Sequence, residues 1–178
     1  ETLKVLNPVM EKRGGHELKM RAEKSLANLS DKNWTSKRNK LTAQLIADRQ
    51  DHVIDPSWMV MEVIKTMPEN TIIVDEGIVS TRALSVLLPY RDPASLFGMA
   101  SGGIGWGIPA ACGVQAAYPD RPVIAIIGDG SSMYSIQALW TAANQKLPLS
   151  YIIRDNVGYR LIKERLSAFH GNDNFIGM

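Results

Sequence analysis

Pro122-Val123-Ile124-Ala125-Ile126-Ile127 runs into Gly128-Asp129-Gly130, and Leu149-Ser150-Tyr151-Ile152-Ile153 runs into Arg154-Asp155-Asn156. Each is a short apolar run closed by polar and turn-forming residues, the pattern of a strand buried on both faces. Asp129 and Asn156 stand 27 positions apart, which fits strand, helix, strand. Such a step makes two parallel strands with their carboxyl ends side by side. One end offers a carboxylate oxygen and the other a carboxamide oxygen. Hard oxygen ligands combined with substrate phosphates are how proteins hold Mg²⁺. The glycines let a diphosphate approach the backbone, and a helix N-terminus follows the first turn. Gly158, two residues beyond Asn156, can add a backbone carbonyl without a third acidic side chain. Gly-Asp-Gly alone is equally a tight turn; the Asn156 partner is what tips it towards function. Ser131 can donate to a phosphate oxygen and also cap the helix.

Outward from this core the texture is alternating β and α from Asp51 onward. Asp55-Pro56 is an N-cap followed by proline at the first helical position, opening a helix that ends near Met67-Pro68. Thr71 to Asp75 is a buried strand, Ser80-Thr81 caps a helix to about Leu88, and Ser95 to Met99 is a short strand. A Gly/Ala-rich helix spans Ile104 to about Tyr118. After the strand to Ile127 come a helix from Tyr134 to Asn144, the strand to Ile153, and a helix around Leu161 to Phe169. Met59, Met61 and Met67 read as helix core or cover, and Trp140 as core behind the Gly-Asp-Gly loop. The expectation is a doubly wound, mostly parallel α/β sheet with helices on both faces and right-handed crossovers. Ligands bind beyond the carboxyl ends of such strands, so the loops at Asp75-Ile78, Gly128-Ser131 and Asp155-Gly158 share one edge.

Residues 1–51 differ. They are rich in Lys, Arg and Glu, break at Gly14-Gly15, and carry apolar residues at helical spacing (Leu18, Ala22, Leu26, Leu29; then Trp34, Leu41, Leu45, Ile46). They read as the tail of a preceding domain plus linker helices, with 52–178 as the second domain. The chain opens mid-pattern without methionine, so a piece of a longer protein is expected, incomplete at its C-terminus.

Hydrophobic content of 45% and charged content of 21% suit a globular protein. A net charge of +2 gives no electrostatic case for nucleic acid or a membrane surface, and no apolar stretch is long enough to span a bilayer. The single cysteine, Cys112, rules out an internal disulfide framework, suggests a reducing compartment, and reads as a small buried thiol. A cytoplasmic location is expected. His16, His52 and His170 are isolated from one another and from ligand-spaced Cys or acidic partners, so no zinc site is read. Neither a nucleophile elbow nor a Walker A motif is present. Gly102-Gly103-Ile104-Gly105-Trp106-Gly107 lacks the spacing of a dinucleotide fingerprint. It serves close helix packing or the approach of a flat ring.

The Gly128-Asp129-Gly130 and Asp155-Asn156 pair, with the stretch from Gly102 to Ala111 and the run Ala138-Leu139-Trp140-Thr141-Ala142-Ala143, resembles the thiamine diphosphate (ThDP) enzymes, within them the benzoylformate decarboxylase branch. The similarity runs from about Pro56 to Gly158. It implies the diphosphate-binding (PP-type) domain of a ThDP fold. By this resemblance Asp129 and Asn156 are Mg²⁺ side-chain ligands with the Gly158 carbonyl as the third. Gly130 and Ser131 bind the diphosphate, and the Gly102 backbone meets the aminopyrimidine. Ile104 is the apolar wedge that bends the cofactor, and Ile78 offers its backbone in the phosphate loop. Three features depart from the family. Asp155 stands where the first asparagine is usual. Ile78 and Val79 replace hydroxyl residues. The glutamate that activates the aminopyrimidine belongs to a pyrimidine-binding domain, usually of a neighbouring subunit, and has no match here.

The resemblance therefore implies Mg²⁺- and ThDP-dependent decarboxylation of a 2-oxo acid. This chain would supply the diphosphate half-site, be inactive alone, and belong to a homo-oligomer. An acetolactate synthase-like carboligase is the same-class alternative, and a non-catalytic ThDP-binding or scaffold subunit is the alternative of another class.

Overall fold

The computed structural model describes residues 2–49, 54–156 and 158–175. The chain divides into two compact units, residues 1–47 and 48–178. The expected boundary at Asp51/His52 falls outside the described residues, as does His52 itself. The first unit is two helices, α1 (Thr2–Leu29) and α2 (Trp34–Ala47). As the glycine pair predicts, α1 is interrupted at Gly15, whose φ of 49° and ψ of 179° are not helical. Helix α2 buries none of its residues.

The second unit begins with α3 (Pro56–Thr66). The Asp55 carboxylate accepts the Ser57 and Trp58 N–H groups at 2.8 and 3.0 Å, closing two of the donors a helix start leaves open. Then follow β1 (Ile72–Glu76), a 3-10 turn (Ile78–Thr81), α4 (Leu84–Leu87), β2 (Leu96–Gly98), α5 (Gly107–Ala117), β3 (Val123–Gly128), α6 (Asp129–Met133), α7 (Ala138–Asn144), β4 (Leu149–Arg154) and α8 (Arg160–His170). The four strands are parallel, in the order β2-β1-β3-β4.

Alternation along the strands assigns two cores. Ile72, Val74, Val123, Ala125 and Ile127 pack with Ile108 and Ala111 of α5. Ile73 and Ile126 point the other way and are equally buried, and α3 and α4 supply Val60, Met61, Ile64, Leu84 and Leu87 to the core. Helices thus cover both faces, the doubly wound arrangement expected.

Several local readings are corrected. Ser80 and Thr81 lie inside the 3-10 turn rather than capping a helix, and α4 is only four residues long. Helix α5 starts at Gly107, because Gly102 and Gly105 adopt positive φ (74° and 92°) and keep the preceding loop non-helical. Of the helix expected over 134–144 only α7 (Ala138–Asn144) forms; residues 134–137 are turn, and the short α6 (Asp129–Met133) precedes them. Trp140 is not core: it is 70% exposed, and Ala142 fills the buried position of α7 instead. Cys112 is buried, its Sγ 3.3 Å from the Tyr151 hydroxyl.

Candidate functional site

The strand order reverses direction between β1 and β3. The chain leaves β1 for β2 on one side, then crosses back to β3 on the other. In open α/β sheets the crevice at such a reversal, outside the carboxyl ends of the strands, is where ligands bind. Here it lies between the turn after Glu76 and the turn at Gly128. The two backbones come so close that a Cβ on Gly128 would lie 4.0 Å from the Glu76 carbonyl.

Asp129 opens α6 directly from β3. Its side chain is half-buried, and among the described residues its carboxylate has no hydrogen-bond or ion-pair partner. Its own carbonyl accepts the Ser132 hydroxyl at 2.6 Å. Ser131 is buried, whereas Gly130 has open space where a Cβ would stand. On the neighbouring strand Arg154 is the register partner of Gly128, so Asp129 and Asn156 follow the ends of adjacent parallel strands. Asn156 Oδ1 accepts the Gly158 N–H at 3.2 Å, and the Gly158 carbonyl accepts the Arg160 N–H at 2.9 Å. Asn156 and Gly158 line one cavity of about 260 Å³ together with Arg160 and Lys163; Asp129 is not part of its wall. Lys163 Nζ lies 3.0 Å from the point a Gly158 Cβ would occupy. Arg160 and Arg82 both pair with Glu164, at 3.1 and 3.6 Å.

The loop after β1 is built differently from a hydroxyl-rich one. Ile78 is 39% exposed and holds φ at 51°, an uncommon conformation for a β-branched residue. Ser80 and Thr81 are buried. Asp75 Oδ1 accepts the Gly77 N–H at 2.9 Å. Burial pushes the Asp75 carboxyl above its ordinary value, partly offset by hydrogen bonds from the Thr81 side chain and the Gly77 backbone.

Sequence reasoning missed Glu76. Its side chain is 1% exposed, and its two oxygens accept the N–H groups of Gly105 at 2.5 Å and Gly107 at 2.6 Å. Trp106, the residue before α5, offers no side-chain cap, so a carboxylate from β1 caps the helix in its place and complements its dipole. The same contact fixes the loop that carries Gly102 and Ile104. Ser135 locks its other side by donating to the Gly105 carbonyl at 2.6 Å. At Gly105 a side chain would strike Tyr134, so the close packing that was one of two readings of this glycine run applies there. Gly102, by contrast, has open space around it, and Ile104 is 51% exposed. The available signal for Glu76 was an acidic residue closing a fully apolar strand.

The oxygens offered by the turns after β3 and β4 are the Asp129 carboxylate, the Ser131 hydroxyl, the Asn156 carboxamide and the Gly158 carbonyl. Among the described residues no cluster of His, Cys, Asp and Glu could hold a metal by itself. This chemistry fits a hard divalent ion that takes its remaining ligands from a diphosphate. The Asp129 carboxylate, without a partner among the described residues, suits the cation, and the clear space at Gly130 and Gly102 suits a phosphate and a ring.

Residues 77–177 match the thiamine pyrophosphate enzyme C-terminal TPP-binding domain. The chain belongs to this family of ThDP-dependent enzymes. It is 43% identical over 105 residues to benzoylformate decarboxylase of Pseudomonas aeruginosa, covering 58% of this chain and 20% of that protein. It is 40% identical over 68 residues to the acetolactate synthase isozyme 2 large subunit of Escherichia coli, 38% of this chain and 12% of that one. A solved structure of the ThDP-dependent 4-hydroxybenzoylformate decarboxylase of Rhodococcus jostii RHA1 superposes with a TM-score of 0.67 at 35% identity, over 73% of this chain and 24% of the other. The chain thus spans about a fifth to a quarter of the length of these decarboxylases. No helix among the described residues is long and apolar enough to cross a membrane.

Proposed function

We propose that this chain is the diphosphate- and Mg²⁺-binding half-site of an enzyme that decarboxylates 2-oxo acids, as its benzoylformate decarboxylase relative is named for doing. One observation carries the reading: Asp129, whose carboxylate has no partner among the described residues, and Asn156 follow the ends of the adjacent parallel strands β3 and β4, the first of which borders the switch point of the sheet. In this reading Asp129, Asn156 and the Gly158 carbonyl hold Mg²⁺, and Gly130 and Ser131 meet the diphosphate with their backbone and hydroxyl. Ile78 contributes backbone alone. The Gly102 carbonyl, on the Glu76-anchored loop, would accept from the aminopyrimidine, and exposed Ile104 would be the apolar contact that orients the cofactor. When bound, the cofactor supplies the carbon nucleophile and electron sink; the protein supplies orientation and a fixed electrostatic setting.

The activating carboxylate would come from a pyrimidine-binding domain of a neighbouring subunit in a homo-oligomer, so this chain alone would not turn over a 2-oxo acid. The acetolactate synthase relative supports a second reading, a carboligase, which differs in the acceptor rather than in this half-site.

The experiment is titration of ThDP and Mg²⁺ into the chain and its variants, followed by calorimetry or ³¹P NMR. Asp129→Ala abolishes Mg²⁺-dependent binding while the fold persists, because the Asp129 carboxylate makes no hydrogen bond or ion pair among the described residues and is flanked by glycines. Asn156→Ala weakens binding less, since it removes a neutral oxygen. Unchanged binding in Asp129→Ala would overturn the ligand assignment.

A further inference from the structure

Arg154 closes β4 on the face that carries Ile73, Ile126 and α3, directly beside Gly128. Its guanidinium has a single contact among the described residues, from Nη1 to the Met59 Sδ at 3.8 Å. A thioether is a weak acceptor, and a guanidinium carries five donors. The Nε atom is sealed from solvent without any partner. No carboxylate pairs with Arg154 among the described residues. That nitrogen has therefore lost its water without a replacement, which costs free energy, while the guanidinium as a whole is only part-buried.

What would satisfy it lies close by. Gly128, its ladder partner, leads straight into Asp129-Gly130-Ser131, and neighbouring strands are about 4.8 Å apart, well within the reach of an arginine side chain turning about its own torsions. Leaving Met59 costs one weak contact. The phosphate loop opposite is short of hydroxyl donors at its start, since Ile78 and Val79 carry none. A planar guanidinium matches phosphate oxygens in two-point geometry.

Resting on the function proposed above, we propose that Arg154 is a diphosphate ligand of this chain: parked against Met59, it swings to the phosphate of ThDP and replaces the donors that the loop after β1 lacks.

The test titrates Mg²⁺ with ThDP, and separately thiamine, into the chain and its Arg154→Met and Arg154→Lys variants. Binding is followed by ³¹P shift for ThDP and by calorimetry for both, and thermal unfolding is recorded without ligand. Arg154→Met should weaken ThDP about tenfold, the size of one charge-assisted hydrogen bond, and leave thiamine unchanged. Its ligand-free Tm should hold or rise, because an unpaired, partly buried charge has gone. Arg154→Lys should recover part of the affinity. If Arg154→Met binds ThDP as the parent does, Arg154 is no ligand although the cofactor reading stands. If its Tm and its affinity for thiamine fall along with that for ThDP, the arginine is structural and the proposal fails. If the parent chain itself shows no ThDP binding, the functional reading falls and takes this one with it.

Discussion

Glu76 is the residue on which the loop geometry depends. Both oxygens are used, and both donors are backbone N–H groups of a glycine-rich segment in which Trp106 is the side chain packed against the core. Glu76→Gln keeps the shape but turns an amide NH₂ towards one of those N–H groups. Removing a partner so that buried donors go unmet costs about 1–3 kcal/mol per group, so Glu76→Gln should lower Tm clearly in thermal unfolding, and Glu76→Ala further. Asp75, one residue earlier, behaves oppositely. Its carboxyl is held above the ordinary value of 3.8, chiefly by burial. A raised acid favours the folded state while protonated, so its contribution is complete below the unfolded value and is lost as pH rises through the folded one. Asp75→Asn should therefore raise Tm at pH 7 and bring no gain near pH 3, as pH-dependent unfolding would report. The two carboxylates were hard to tell apart in the sequence, being adjacent at the end of one apolar strand. Which one turns inward follows from the pleat, and which donors it meets depends on a loop some 30 residues away. By contrast Asp129 and Asn156 could be placed from spacing alone, because their position is set by strand ends rather than by side-chain packing.

At the scale of elements, local signals succeed where chemistry is local. The Asp55-Pro56 start of α3 needs only its own next three residues. Asp55→Ala should cost about 1 kcal/mol in chemical denaturation, with Asp55→Asn recovering most of it because an asparagine oxygen still accepts. The α6–α7 segment shows the limit. Its sequence is compatible with one helix, but the glycine of the neighbouring loop brings Gly105 against Tyr134, and Ser135 spends its hydroxyl on the Gly105 carbonyl. These long-range contacts occupy the residues where a continuous helix would pass, and the chain turns instead. Met133, Tyr134 and Trp140 are each about 70% exposed, an apolar surface close to the glycine loop. Helical periodicity could not reveal this, since it presumes a single axis.

For the whole molecule, the question is which part carries stability. All residues of the apolar core belong to 60–142, within the second unit. In the first unit α2 buries nothing, and Val5, Leu6, Met10, Leu26 and Leu29 are exposed along α1. Two helices without a buried face contribute little hydrophobic free energy. Among the described residues, the buried apolar side chains of the four strands and their covering helices all lie in the second unit. Removing residues 1–47 should therefore leave a chain, 48–178, that unfolds cooperatively with nearly the Tm of the full chain and binds Mg²⁺ and ThDP with the same affinity. Circular dichroism would show the loss of helical signal belonging to α1 and α2 and no loss of the unfolding transition. Failure of 48–178 to fold, or weakened ThDP binding by a stable 48–178, would mean that the first unit supports the sheet or the site. Because every residue assigned to the diphosphate and the metal lies at 78 or beyond, affinity is the more discriminating readout of the two.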